Sequence, residues 1–82
     1  MRKLTAGDLA FWLTDDRRPV RCRVELVTAE HVYLRSTATD HGRRLGEVWR
    51  EARYSRRVCP RDVVYLHEGR VHFDLRSFVI AA

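Results

Sequence analysis

Apolar and polar residues alternate along most of this chain, and the alternation defines its elements. Val20, Cys22, Val24 and Leu26 are interleaved with Arg21, Arg23 and Glu25, which is the pattern of a strand with one buried face and one wet face. Thr28 to Glu30 makes a short connection. His31 to Thr37 then alternates again, Val32 and Leu34 inward and Tyr33 and Arg35 outward, so the two segments read as a hairpin. An earlier strand is expected over Asp8 to Leu13, opened by Gly7 and closed by Thr14, Asp15 and Asp16, before Pro19 restarts the chain. A second hairpin is expected from Val63 to Leu66 and Arg70 to Phe73 across Glu68 and Gly69. In that register Leu66 faces Val71 and Val64 faces Phe73, while Tyr65 faces His72 and His67 faces Arg70, so the large aliphatic pairs share a face. Phe78, Val79 and Ile80 form a last apolar run that closes the sheet or docks on it.

The period changes once. After a loop at Thr39, Asp40, His41 and Gly42, the residues Leu45, Val48, Trp49 and Ala52 fall at i, i+3, i+4 and i+7, which predicts a short amphipathic helix near residues 44–54. A strand over the same residues would set Val48, Arg50, Ala52 and Tyr54 on one face and bury an arginine with apolar neighbours; the helix is therefore the favoured reading. The elements together predict a mainly β, small α+β domain, a five-stranded antiparallel barrel with one inserted helix. Barrel closure removes the exposed edges an open sheet would leave. At 82 residues the chain supports one core, so residues 1–82 are read as a single domain.

Gly7-Asp8-Leu9 followed by an aromatic strand, then Val20 to Leu34 as a hairpin, resembles an SH3-like barrel of the Tudor or KOW kind. Val58-Cys59-Pro60-Arg61-Asp62-Val63 is similar to the 3₁₀ turn that leads into the last strand of such barrels. Val58 to Phe73 also resembles the hairpin of WYL domains, with Val71, His72 and Phe73 where the naming Trp-Tyr-Leu would stand. The resemblance implies a fold whose members bind nucleic acids, peptides or other subunits.

Charge sharpens that expectation. Residues 43–61 hold Arg43, Arg44, Arg50, Arg53, Arg56, Arg57 and Arg61 against Glu47 and Glu51. The rest of the chain has nine basic and nine acidic residues, so the whole net charge of +5 falls in this segment. On a helix Arg43, Arg50, Arg53 and Arg57 would form an outward stripe able to pair with phosphates. Tyr54, inside the segment, is a base-stacking candidate, as is Tyr33. The alternative is a solvated face partly neutralised by the two glutamates.

Catalysis is not expected. Ser36, Ser55 and Ser77 lie in no nucleophile elbow, and there is no Gly-rich phosphate loop. The four histidines and two cysteines have no metal-ligand spacing, so neither metal nor cofactor is expected. Cys22 and Cys59 read as small buried residues, unlinked, in a cytoplasmic protein. The apolar run Leu9 to Leu13 is too short for a membrane span or a signal peptide. The expected partner is a nucleic acid bound through Arg43, Arg44, Arg50, Arg53, Tyr54, Arg56, Arg57 and Arg61. The second reading is a protein-interaction module, its Arg stripe or barrel edge meeting a partner with an acidic surface.

Overall fold

The computed structural model describes the backbone of residues 2–68, 70–73 and 78–80, and the side chains of residues 4–62 and 68. The period-two segments are strands. β2 (Leu9–Leu13), β3 (Pro19–Val27), β4 (His31–Ser36), β5 (Val48–Ala52) and β6 (Val58–Pro60) form one open antiparallel sheet in the order β5-β4-β3-β2-β6. β1 (Arg2–Leu4) pairs in parallel with β9 (Phe78–Ile80), outside that sheet. β7 (Val64–His67) and β8 (Arg70–Phe73) form a hairpin with the register expected from sequence, Leu66 opposite Val71 and Val64 opposite Phe73. The burial expected for those four side chains lies outside the described residues. Arg61–Val63 make a 3₁₀ turn ahead of β7.

One face of the five-stranded sheet builds the core. Ala10 and Trp12 of β2, Val20, Cys22 and Val24 of β3, Val32 and Leu34 of β4 and Val58 of β6 are buried against one another, with Leu4 closing the cluster. Each of the valine and leucine side chains contributes about 1.5–3 kcal/mol through removal of apolar surface from water. The sheet rolls around this core. In a flat sheet β2 and β5, three strands apart, would lie about 14 Å from each other. Here Trp12 of β2 and Trp49 of β5 meet edge to face, their ring centroids 5.4 Å apart.

Two local expectations are corrected. The helix near residues 44–54 does not form: Gly46 has φ +84°, outside the helical region, and the chain extends from Val48 into β5. A strand was disfavoured by sequence only if it buries Arg50, and β5 turns its other face inward. Val48, Arg50 and Ala52 point out, and Trp49 and Glu51 point in. A carboxylate is tolerated there because Glu51 Oε1 accepts the Trp12 indole N–H at 2.8 Å. The second correction is Leu26, expected on the buried face and 52% exposed. The β3–β4 register shifts between Val24 and Leu26, and this bulge reverses the alternation for the rest of the strand.

Candidate functional site

The basic segment of the sequence does not become one surface. His41 (φ +45°) and Gly42 (φ +93°) make a tight two-residue turn in which Asp40 and Arg43 exchange backbone hydrogen bonds of 3.0 and 2.9 Å. The turn carries Arg43 inward. Its guanidinium lies 4.1 Å from the Trp49 ring centroid and 4.6 Å from that of Trp12, and it pairs with Glu47. The ion pair holds the Glu47 carboxyl below its ordinary range. Arg43→Ala is expected to lower stability by about 1–2 kcal/mol in urea titrations and to red-shift tryptophan emission, because both rings lose their cover. An unchanged emission maximum would show that the stack does not form in solution.

Arg57 and Arg61 are also engaged within the molecule. Arg57 pairs with Asp15 and approaches Trp12, while its carbonyl accepts the Leu13 N–H at 2.7 Å. Arg61 donates to Ala10 O, Cys22 O and Thr37 Oγ1 and lies over the Phe11 ring. Desolvation lowers its pKa. Arg53 reaches Ala29 O and lies over Tyr54, which is 77% exposed. Arg44, Arg50 and Arg56 are exposed to solvent. The eight residues expected to form one site are thus divided among the inner face, the turns and the outer face. The outward stripe of Arg43, Arg50, Arg53 and Arg57 does not exist, since it required the helix.

What the fold does bring together is the outer face of the sheet. Cross-strand register places Leu9, Arg23, Arg35 and Val48 in one row over β2, β3, β4 and β5, and Leu26, Tyr33 and Arg50 in the next. Arg23 therefore stands directly opposite Arg35, an arrangement of like charges that destabilises a strand pair by a few tenths to about 1 kcal/mol. Glu25 offsets part of this through its ion pair with Arg35, Nε to Oε1 at 2.6 Å. Arg23 and Arg50 have no ion pair among the described residues. At the edge, Asp40 takes Arg21 Nε at 2.9 Å and Nη2 at 3.0 Å, which holds its carboxyl below the usual carboxylate range. Leu9, Leu26 and Val48 are 44%, 52% and 48% exposed, so the arginines sit in a half-apolar surround.

Sequence reading missed Arg23 and Arg35 as site residues. Their outward orientation was legible from the alternation; their meeting depends on strand pairing, which gathers a face from residues far apart in sequence. Among the described residues no three His, Cys, Asp or Glu side chains cluster as metal ligands. Comparison of the chain with protein-family models, curated proteins and solved structures finds no match in any of the three.

Proposed function

We propose that this domain is a non-enzymatic nucleic-acid-binding module, an SH3-like barrel whose outer sheet face takes the phosphate backbone. The observation that carries the reading is the opposition of Arg23 and Arg35 beside the Tyr33–Arg50 pair. Holding like charges face to face has a local stability cost, which a polyanion between them would remove. Guanidinium groups pair bidentately with phosphate oxygens, and Tyr33 offers a ring for stacking within the same patch. Arg44 and Tyr54, exposed on the loops, extend the contact surface. Arg43 and Arg61 hold the scaffold and leave the ligand set.

The test is an anisotropy titration against single-stranded DNA, duplex DNA and RNA at several salt concentrations. Log K is expected to fall with log salt at about −0.9 per phosphate contacted on duplex DNA and about −0.7 on single strands. The Arg23→Gln/Arg50→Gln variant is expected to flatten the slope by about two contacts while keeping the native circular dichroism. Absence of binding at low salt, or an unchanged slope, would sink the proposal. A second reading then takes its place. The exposed Leu9, Leu26 and Val48 on the same face favour an acidic protein partner with an apolar centre.

A further inference from the structure

The turn joining β2 to β3 and the turn joining β5 to β6 lie side by side, clipped by the hydrogen bond from Leu13 N to Arg57 O. Between them is an open pocket of about 360 Å³ lined by Thr14, Asp15, Arg17, Ser55, Arg56 and Arg57. Three arginines line this concavity with a single acidic residue, Asp15. Arg17 and Arg56 are exposed and have no ion-pair partner among the described residues. Arg57 pairs with Asp15, whose side chain is 87% exposed. An ion pair that open to water is weakly held.

The pocket is fixed by its backbone rather than by those charges. Thr14 N donates to Arg18 O at 3.0 Å and Arg17 N donates to Thr14 O at 2.9 Å, closing a tight loop. Arg17 holds φ +64°, a region that residues other than glycine rarely occupy. Across the pocket, Ser55 N donates to Ala52 O at 2.9 Å, and Ser55 Oγ accepts Arg57 N at 3.2 Å. The Ser55 hydroxyl is thereby oriented with its proton available as a donor. Thr14 Oγ1 is differently employed, donating to Asp16 and accepting Arg18 N at 3.0 Å.

We propose that this pocket receives a phosphomonoester dianion. Arg17, Arg56 and Arg57 would serve as its guanidinium ligands and the Ser55 hydroxyl as a further donor, with Asp15 the internal competitor that the anion displaces. The chemistry selects the monoester. A monoester presents three terminal oxygens and up to two negative charges, matching three forks and an excess of two positive charges. A phosphodiester has two free oxygens and one charge, and leaves a guanidinium unmatched. The site is separate from the sheet face and does not depend on the nucleic-acid reading.

The experiment is isothermal titration of the full chain with methyl phosphate and with dimethyl phosphate at matched ionic strength. Methyl phosphate is expected to bind and dimethyl phosphate to bind at least about tenfold more weakly, two charge-assisted bonds being lost. Affinity for methyl phosphate is expected to rise from pH 5 to pH 7.5, since the second ionisation of such esters lies at about pH 6. Arg56→Gln, at an exposed position, is expected to weaken binding about fivefold or more. Asp15→Asn is expected to tighten it about threefold or more, because the competitor is gone. Arg23→Gln/Arg50→Gln is expected to leave it unchanged. Equal affinity for the diester, no response to Arg56→Gln, weaker binding by Asp15→Asn, or loss of binding in the sheet-face variant would each overturn the proposal.

Discussion

Arg61→Gln is expected to lose about 2–3 kcal/mol of stability, which for a domain of this size lowers Tm by roughly 8–20 °C. The guanidinium of Arg61 joins three separate parts of the chain. Nε donates to Ala10 O of β2 at 3.0 Å, and Nη2 donates to Cys22 O of β3 at 3.3 Å and to Thr37 Oγ1 after β4 at 2.9 Å. Its Cζ lies 5.3 Å from the Phe11 ring centroid. A glutamine amide is shorter and uncharged and cannot span these acceptors, so the 3₁₀ turn that starts at Arg61 loses its anchor to the sheet. Partial exposure of the side chain keeps the loss below that of a fully buried charge network. Urea denaturation reads the effect. A variant of native stability that has lost polyanion binding would instead return Arg61 to the phosphate ligands.

Arg61 illustrates what was legible in the sequence and what was not. Strands whose faces differ sharply in polarity, β3 through Val24 and β4, were readable because a one-residue slip would have inverted them. The β7–β8 register followed from the length of its turn. Leu26 was misplaced because a bulge adds one residue to the count, and nothing in Val24-Glu25-Leu26 announces it. The helix near residues 44–54 failed for a different reason. Four apolar residues at helical spacing leave Glu51 out of account, and its inward carboxylate is satisfied by Trp12, a residue 39 positions away. Long-range polar partners of this kind leave no local signal.

The candidate site shows the same limit in electrostatic form. The seven arginines of residues 43–61 are not equivalent, because Arg43 stacks on two tryptophans and Arg61 binds backbone carbonyls. Charge spent on internal partners is poorly available to a ligand. The opposed Arg23 and Arg35 come from strands on either side of the Thr28–Glu30 connection, in a stretch whose formal charge is nearly balanced. Local charge density on a β surface follows cross-strand pairing rather than sequence distance.

Raising the pH from 9 to 12 is expected to unfold the native chain, and the two cysteines are expected to account for much of that sensitivity. Cys22 and Cys59 are wholly buried, and their Sγ atoms lie 3.5 Å from Ala10 O and 3.9 Å from Phe11 O as weak donors. Burial disfavours the thiolate and pushes each thiol from the ordinary 9.0 up to about 12. Below pH 9 both the folded and the unfolded chain keep these protons, and stability does not depend on them. Between 9 and 12 the unfolded chain releases them while the folded chain cannot, so each thiol withdraws about 1.4 kcal/mol per pH unit. Together they remove up to about 2.7 kcal/mol per unit, or about 7–8 kcal/mol by pH 12, which is comparable with the whole stability of about 5–10 kcal/mol expected for a domain of this size. Far-UV circular dichroism across this range measures the transition. The Cys22→Ala/Cys59→Ala variant begins from lower stability but is expected to show a much flatter decline from pH 9 to 11. The same burial protects the native thiols from iodoacetamide at pH 8, where unfolded protein is alkylated readily. Rapid alkylation of both thiols in the native state, or an undiminished alkaline slope in the double variant, would place the cysteines outside the core.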